Sequence, residues 1–581
     1  MRATSRSTLA KPAFYIAGIV VLAAHAVAFP SAASYPPSAE GVTAAASTDH
    51  ADATRAALDV IAKGGNAVDG AIAAALALGV VNPAASGIGG GGFALVYTAQ
   101  DKKVTAFDFR ESSPATFSTE VLWPPKQPGE KPRDAFGWTG PRGGSVGVPG
   151  ELAGLELLSR RFGKKSLADD AAPAVALAQH GFFLGLHTAD TVATFQARVV
   201  SQPTLASSFL PGGKPARFAT RVVRPELAAT LVRFGREGKK PFYEGDIAQK
   251  IVVAVRAAGG TMTAADLAAY QVKERPTLSR TIDGRTIHTM PAPSAGGLML
   301  LETLSMYGAS KSSALAAMGF GSSAYLHTVA EAMRGATADR ARLAGDPDLD
   351  ASVDKAYAAA LEPGQLAARR ARIDPNKTRA PIDFKTNERG TSHLVVTDAA
   401  GNVVSLTTTV NGPFGASIVA GDTGMLLNDE LDDFTAAGEA KTFGLNDGGP
   451  NRPRGNARPV SSMTPAIVLE NGVPIMAVGG SGGTRIATGV TQATLARLLF
   501  DLDPNACVSH PRVHTQGAKL FFEPEISPDV RDALKKRGET VEEEPWVGSA
   551  IQMIAWSRSP NAPAKILAAS DPRKAGFAAA R

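Results

Sequence analysis

Thr391 stands at a junction where a hydroxyl group could do chemistry, between the polar stretch NERG and the alternating run SHLVVTD. A threonine hydroxyl is a poor nucleophile unless a base accepts its proton, and the nine histidines form no recognisable Ser/His/Asp pattern. If the chain were cut between Gly390 and Thr391, the new α-amine, with an ordinary pKa of about 7.7–8.0, could be that base. Gly390 would tolerate a strained backbone at the cut. The pattern therefore predicts either a self-cleavage site that begins an active site or a plain strand start.

A predicted hairpin positions this threonine. The runs 391–398 and 403–410 alternate like strands, and the Gly-Asn pair between them is typical of a hairpin turn. If residue 398 pairs with residue 403, then Thr391 lies at the open end of the hairpin beside Thr409 and Asn411, within one residue of register. The sequence therefore predicts three polar side chains together at that end.

The remainder of the chain alternates between helical blocks and strand blocks. Helical spacing is predicted up to about residue 80 and over 149–267, 322–370 and 488–502, whereas strand patterns dominate from residue 391 onward. Blocks of this kind favour an α+β fold, or layered packing of helices on sheets. The glycine run GIGGGGF lacks the spacing of a dinucleotide loop and precedes a strand, so close backbone packing is the favoured interpretation.

Composition and charge exclude several classes of protein. Of the 581 residues, 44% are hydrophobic and 20% are charged, as expected for a globular protein with a large core. The net charge of +6 falls to about +3 without residues 1–36, which hold three basic residues and no acid, so a nucleic-acid surface is not indicated. Cys507 is the single cysteine, which excludes an intrachain disulfide and a cysteine-based metal site.

The N-terminal segment has the pattern of a targeting signal. A basic start is followed by an apolar run from Ala13 to Phe29 and by the small residues AHAVAFPSAAS. This is typical of a cleavable signal peptide over residues 1–29, with Ala28 or Ala33 as cleavage options. The alternative is an uncleaved anchor, but the run is at the short limit for a spanning helix. We therefore expect a secreted or periplasmic protein without a stable membrane span.

A set of ordered motifs extends these predictions. The segment TSHLVVTDAAGNVVSLTTTVNGPFGASIVAGDTGMLLNDELDDF, together with GGNAVDGAIA, GGGGF, DFRESSPA, PAPSAGG, RPVSSMTP and GGSGGTRI, resembles the gamma-glutamyltransferases (gamma-glutamyltranspeptidases), which are N-terminal nucleophile hydrolases. The resemblance spans nearly all of the chain that would follow the signal. It implies an α+β fold of the four-layer αββα type, with a large subunit of residues 30–390 and a small subunit of residues 391–581 produced by self-cleavage.

The resemblance also implies the reaction. Thr391 would form a gamma-glutamyl ester, Thr409 would orient the Thr391 amine, and the N–H groups of Gly482 and Gly483 would stabilise the oxyanion. Gamma-glutamyl groups, for example from glutathione, would pass to water or to an amino acid. Neither a metal nor an organic cofactor is needed for this chemistry.

The glutamyl end of such a substrate carries both charges, so the implied binding residues carry both signs. Arg110, in DFRES, would hold the α-carboxylate through its planar guanidinium group. The other implied contacts are hydroxyl donors to that carboxylate, Ser461 and Ser462, and three groups for the α-ammonium, Asn411, Glu430 and Asp433. The two acids are three residues apart, so one helical turn or tight loop could bring them together.

Two positions depart from common patterns of the family. Phe443 stands where many members carry a lid tyrosine that reaches the asparagine matching Asn411, which puts lid closure and the choice of acceptor in doubt. Glu430 stands where many bacterial members have glutamine. The alternatives are an acylase of the same fold that removes a glutaryl-type side chain from a beta-lactam, and an unprocessed secreted binding protein. Asn411, Glu430 and Asp433 favour the glutamyl substrate because they suit an ammonium group.

Overall fold

The structure is a computed structural model that describes residues 36–123, 142–379, 390–435, 449–559 and 562–581. The predicted signal peptide lies outside these ranges. Within them, the structure holds no helix that combines the length and the apolar character needed to cross a membrane.

Strands of the described residues form two large sheets and two small ones. One large sheet has the strand order β19-β2-β10-β11-β3-β4-β7, and the other has the order β1-β18-β17-β13-β12-β9-β8. The small sheets are β14-β15-β16 and β5-β6. In chain order the strands are β1 (Ala39–Gly41), β2 (Ala45–Thr48), β3 (Gly91–Thr98), β4 (Lys103–Phe109), β5 (Phe182–Phe183), β6 (Arg221–Val222), β7 (Lys273–Arg275), β8 (Leu278–Ile282), β9 (Arg285–Thr289), β10 (Ser392–Thr397), β11 (Val403–Thr409), β12 (Ala466–Glu470), β13 (Val473–Ser481), β14 (Val513–His514), β15 (Lys519–Phe522), β16 (Thr540–Glu543), β17 (Ala550–Ser559), β18 (Ala562–Ser570) and β19 (Phe577–Ala580).

Helices cover the outer face of each large sheet. Helix α2 packs on β10 and β11, whereas α13 and α17 pack on β8 and β13 of the other sheet. In chain order the helices are α1 (Ala51–Ala62), α2 (Ala67–Val81), α3 (Thr119–Leu122), α4 (Glu151–Phe162), α5 (Leu167–His180), α6 (Leu186–Thr194), α7 (Gln196–Val200), α8 (Pro203–Phe209), α9 (Pro225–Glu237), α10 (Lys240–Tyr243), α11 (Asp246–Ala257), α12 (Ala264–Ala268), α13 (Gly296–Tyr307), α14 (Ser323–Leu343), α15 (Ser352–Ala360), α16 (Pro363–Ala371), α17 (Arg485–Phe500), α18 (Pro504–Ser509) and α19 (Pro528–Lys536). Because β10 and β11 also pack on β13, the two sheets face each other and the α+β, four-layer αββα prediction is confirmed.

Alternation along β10 shows how the layers share one strand. Leu394 and Val396 belong to the core formed with the helices α1 and α2, whereas Val395 belongs to the core that also contains residues of the second sheet. Successive side chains of a strand point to opposite faces, so a strand in the middle of four layers is buried on both. All six residues of β10 are buried accordingly.

The β10–β11 register differs by one residue from the prediction. Thr397 pairs with Val403 and Ser392 with Thr408, so Thr391 lies opposite Thr409. The predicted register would have placed Thr391 opposite Val410. The reason is Asp398, whose carboxylate accepts hydrogen bonds from the backbone N–H groups of Ala400 and Asn402. Asp398 therefore faces Asn402, to whose carbonyl oxygen its backbone N–H donates at 3.3 Å, and not Val403. The corrected register brings the two threonines directly together.

Each large sheet mixes strands from both sides of residue 390. In the first sheet, β10 is hydrogen-bonded to β11 on one side and to β2 on the other, and β2 in turn pairs with β19 near the C-terminus. In the second sheet, β12 pairs with β9, and β18 pairs with β1. Neither sheet is therefore built from one part of the chain alone.

Candidate active site

The residues predicted from sequence converge on one small cavity. Nine of the ten predicted site residues line this cavity, and Gly482 is the chain neighbour of the lining residue Gly483. Met463 and Ile486, which the sequence did not single out, complete the lining. The cavity therefore joins hydroxyl groups, backbone N–H groups and charges of both signs around Thr391.

Thr391 lines the cavity and lies just before β10. Its side-chain oxygen Oγ1 is 3.2 Å from Thr409 Oγ1, and the residue is 5% exposed. Its backbone N–H donates to the carbonyl oxygen of Ala85 at 3.0 Å, and its own carbonyl oxygen accepts from Lys574 Nζ at 3.0 Å. Hydrogen bonds thus fix the backbone of Thr391 on both sides of its Cα atom.

The backbone at residues 390–391 adopts an unusual conformation. Gly390 has φ of 113° and Thr391 has φ of 111°, a region that β-branched residues rarely enter. A Cβ atom on Gly390 would lie 1.9 Å from the carbonyl oxygen of Asn411, so only glycine fits there. Strain of this kind persists only where the surroundings enforce it, and it collects at functional sites. The strained bond is the one predicted to be cut.

Thr409 and Asn411 extend the hydrogen bonds of Thr391. The backbone N–H of Asn411 donates to Thr409 Oγ1 at 2.8 Å, which leaves the Thr409 hydroxyl proton to donate toward Thr391. The Asn411 side-chain nitrogen donates to the carbonyl oxygen of Asp429 at 3.1 Å and to Asp433 Oδ1 at 3.2 Å. One chain of hydrogen bonds therefore connects the threonine pair to the acidic turn.

Arg110 follows the last residue of β4 and reaches the acidic turn across the cavity. Its guanidinium group is paired with Glu430 and, at 2.5 Å, with Asp433 Oδ2. It also donates to the carbonyl oxygens of Pro459 at 3.2 Å and Val460 at 2.8 Å. Both acids lie in one 3-10 turn, Glu430–Asp433, which is the tight loop that the sequence predicted. The positive Arg110 and the two negative side chains, which were predicted from sequence to bind differently charged groups of a substrate, thus lie side by side.

Ser461 and Ser462 enter the cavity from the segment before β12. Ser461 Oγ accepts from the N–H of Met463 at 3.1 Å, and the carbonyl oxygen of Ser461 accepts from the N–H of Ala295 at 2.8 Å. Ser462 Oγ accepts from Arg340 Nε at 3.1 Å. Each hydroxyl keeps its own proton, so both can donate to an anion.

Gly482 and Gly483 form the turn between the end of β13 and the start of α17. Their φ values are 126° and 62°, and a Cβ atom on Gly482 would lie 1.9 Å from the carbonyl oxygen of Gly548. Within the described part of the chain, neither backbone N–H group donates to a protein acceptor. Two backbone donors at a turn that leads into a helix are suited to stabilise a negative oxygen.

A family model described as gamma-glutamyltranspeptidase matches residues 53–581. The chain belongs to this family. The family resemblance predicted from the motifs is therefore confirmed, and so is the prediction of an enzyme for gamma-glutamyl transfer and hydrolysis.

Individual relatives agree with this family assignment along most of their length. Glutathione hydrolase 2 of Arabidopsis thaliana is 34% identical over 92% of this chain and 93% of its own. The glutathione hydrolase proenzyme of Escherichia coli K12 is 32% identical over 90% of this chain and 89% of its own. Among solved structures, the cephalosporin acylase of Bacillus halodurans superimposes with a TM-score of 0.81 at 24% identity, over 97% of this chain and 99% of its own, which shows the shared fold.

Some residues at this gamma-glutamyltranspeptidase-family site could not be found from sequence motifs. Lys574 lies 183 residues after Thr391, and Arg340 lies in helix α14, so only the folded chain brings either one to the site. Met463 and Ile486 lie within the motifs RPVSSMTP and GGSGGTRI, but as apolar residues they were not singled out. The lid position Phe443 falls outside the described residues.

The described ranges contain no group of three or more His, Cys, Asp or Glu residues arranged to hold a metal ion. His393, two residues after Thr391, is fully buried and shares a hydrogen bond with Thr407 Oγ1. Burial lowers the pKa of His393 to about 3, so this histidine is a neutral part of the core rather than a base facing the cavity.

Proposed function

We propose that the chain cuts itself between Gly390 and Thr391 and that Thr391 then acts as an N-terminal nucleophile. The observation that carries this proposal is the strained, glycine-preceded Thr391, with its hydroxyl 3.2 Å from Thr409 in a cavity lined by both charge signs. The freed α-amine accepts the hydroxyl proton, because its ordinary pKa of about 7.7–8.0 keeps much of it neutral near pH 7.5.

The reaction proceeds in two halves. Thr391 Oγ1 attacks the gamma-carbonyl carbon, and the N–H groups of Gly482 and Gly483 stabilise the negative oxygen, each such donor contributing about 3–4 kcal/mol in comparable sites. The α-amine passes its new proton to the departing amine, which leaves a gamma-glutamyl ester on Thr391. Water or an amino-acid amine then attacks the ester, and the same amine group accepts and returns the proton.

Both ends of a gamma-glutamyl α-centre have matching partners in the cavity. Arg110 binds the α-carboxylate in a forked arrangement, with hydroxyl donors from Ser461 and Ser462. The α-ammonium takes the place of the guanidinium beside the two carboxylates of the acidic turn, with Asn411 as a further acceptor. The side-by-side charges support a zwitterion, because each sign of the cavity then meets its opposite.

Glutathione is the donor that we propose, since the similar proteins of Arabidopsis thaliana and Escherichia coli are named glutathione hydrolases. The Escherichia coli protein is named a proenzyme, which supports a precursor cut into a heterodimer of residues 30–390 and 391–581. The basic and apolar start of the chain supports secretion or a periplasmic location.

Gel electrophoresis with N-terminal sequencing tests the self-cleavage. Wild type should give two bands, the smaller beginning at Thr391, and Thr391→Ala should give one band and no activity. Thr397→Ala, at the far end of β10, is the matched control and should still be cut. A single uncut wild-type band with full activity would refute the proposal.

Chromogenic anilides test the substrate. The proposal predicts faster release from a gamma-glutamyl anilide than from a glutaryl anilide, which lacks the α-ammonium group. The reverse preference would favour the acylase alternative and would show that the acidic turn does not bind an ammonium group.

A further inference from the structure

A lysine outside the cavity holds the residue that we propose as the nucleophile. Lys574 Nζ donates to the Thr391 carbonyl oxygen at 3.0 Å and to Ser481 Oγ at 2.8 Å. Asp49 Oδ2 lies 3.8 Å from the same nitrogen. Lys574 is 5% exposed, so its charge is buried directly behind Thr391. No step of the reaction described above uses this lysine.

The hydrogen bond from Lys574 has a mechanical consequence. Thr391 keeps its strained φ of 111° while Ala85 accepts its N–H and Lys574 donates to its carbonyl oxygen. Cutting the Gly390–Thr391 bond removes the covalent restraint on the nitrogen side of Thr391. The bond to Lys574 then remains to fix the carbonyl side, and with it the direction of the hydroxyl.

The charge of Lys574 has a second consequence. Standard bond lengths keep the nitrogen and carbonyl oxygen of one residue within roughly 3.6 Å of each other, so Lys574 Nζ lies within roughly 7 Å of the future α-amine. A buried positive charge at that range disfavours a second positive charge. The α-amine of Thr391 therefore holds its extra proton less tightly and is more often neutral.

Few charged groups offset this effect. On the cavity side, Glu430 and Asp433 are both paired with Arg110. Asp571 is matched by its own pairs with Arg512, at 2.7 Å, and with Arg573, at 3.0 Å. From helix α6, His187 faces Lys574, but burial lowers the pKa of that histidine to about 3 and keeps it neutral. Burial also lowers the pKa of Lys574 itself, and Asp49 opposes that change. Asp49 is thus the main counter-charge of the lysine.

We propose that Lys574 is a positioning residue for Thr391: it fixes the carbonyl group and, as a cation, keeps more of the α-amine in its proton-accepting form. This inference rests on the proposed role of Thr391. It adds a group from the C-terminal segment, 183 residues away in sequence, to the machinery of the nucleophile.

Three substitutions separate the hydrogen bond of Lys574 from its charge. Lys574→Gln keeps a donor without the charge, Lys574→Met removes both, and Lys574→Arg keeps the charge. We expect the acid limb of the kcat/KM profile to move upward by about one pH unit in the glutamine and methionine variants and to stay in place in the arginine variant. Lys565→Met, which removes an exposed lysine paired with Glu40, should match wild type.

Cleaved, active glutamine and methionine variants with the wild-type acid limb would overturn the proposal. A second outcome is that circular dichroism shows both variants to be folded although they remain uncut. The charge of Lys574 is then needed for the cleavage itself, and the arginine variant must be cut. A folded, uncut arginine variant would then overturn the proposal as well. Wild type that is not cut at Thr391 would instead refute the proposed function, whatever the lysine variants do.

Discussion

Two buried cations lie near Thr391: Arg110 faces the cavity, and Lys574 faces the backbone of Thr391. Arg110, Glu430 and Asp433 form a cluster that lines the cavity, and because we propose that it binds the substrate we call it the substrate-side cluster. Lys574 belongs to a nucleophile-side cluster with Asp49 and Ser481, which touches the backbone of Thr391 and does not line that cavity. A cation that lines the Thr391 cavity can contact a ligand there, whereas Lys574, which lines a different cavity with Asp49 and His187, can act on such a ligand only through Thr391. Substitutions in the two clusters should therefore impair the enzyme in different ways.

Among substitutions that leave Thr391 in place, removing Arg110 should have the largest effect and should leave self-cleavage intact. Arg110→Met loses the carboxylate partner of the substrate and leaves two buried carboxylates without their cation, and breaking such a pair costs about 3–5 kcal/mol. We expect kcat/KM for a gamma-glutamyl anilide to fall about a thousandfold, while the gel still shows two bands. Arg161→Met, which removes a half-exposed arginine paired with Glu274, should leave both unchanged. An uncut Arg110→Met precursor would contradict the separation of the two clusters.

Thr409 lies where the two clusters meet. Thr409→Val keeps the shape and loses the hydroxyl that is 3.2 Å from Thr391 Oγ1. We expect kcat to fall about tenfold to a hundredfold and the cut to slow, because positioned proton partners contribute effects of this order. Time courses of precursor disappearance and kcat measurements test this, with Thr397→Val as the control within the same hairpin. If the variant is cut at the wild-type rate, Thr409 does not assist Thr391 in self-cleavage.

Glu430 tests which end of the substrate the acidic turn recognises. Glu430→Gln keeps the shape but removes one charge, so we expect KM for gamma-glutamyl anilide to rise about tenfold, since a hydrogen bond to a charged group is worth about 1.5–3 kcal/mol. KM for glutaryl anilide should not rise, because that substrate has no ammonium group. Equal effects on both substrates would argue against ammonium binding by this turn.

Ser481 should give the smallest effect. Ser481→Ala removes one acceptor of Lys574 but keeps the lysine charge and its bond to Thr391. We expect less than about a threefold change in kcat, a stability loss of about 1 kcal/mol, and an unmoved acid limb. Thermal unfolding and a pH profile measure these quantities. An acid limb displaced as far as that of Lys574→Met would show that geometry, and not charge, controls the α-amine.

The substrate-side cluster could be predicted from sequence and the nucleophile-side cluster could not. Arg110, Glu430 and Asp433 lie in motifs whose order the chain preserves. The β10–β11 hairpin brings Thr391 to Thr409 through local pairing alone. Lys574 has no motif, and its approach depends on the sheet order β19-β2-β10, which places the C-terminal segment near β10. Contacts of that sequence separation follow from topology, which local patterns do not contain.

Two finer features also lay beyond the sequence. The hairpin register moved by one residue because the Asp398 carboxylate caps the turn, a side-chain effect that strand alternation does not report. Arg110 was predicted to bind a substrate carboxylate and the acids to bind an ammonium group, without their pairing to each other. Burial explains this pairing, because buried charges of opposite sign must lie close together to offset the loss of water.

The interleaving of strands from both sides of residue 390 determines how a cut protein would behave on dilution. In the two large sheets, strands of one polypeptide would pair with strands of the other at five places, among them β10 with β2. Separating the polypeptides would leave an unpaired strand edge on both sides of each of these pairs and would open the core between the sheets. The lifetime of such a pair is set by an unfolding barrier and not by protein concentration. Chains expressed as separate halves would have to find each other as aggregation-prone strands, so the single precursor ensures that assembly is finished before the backbone is broken.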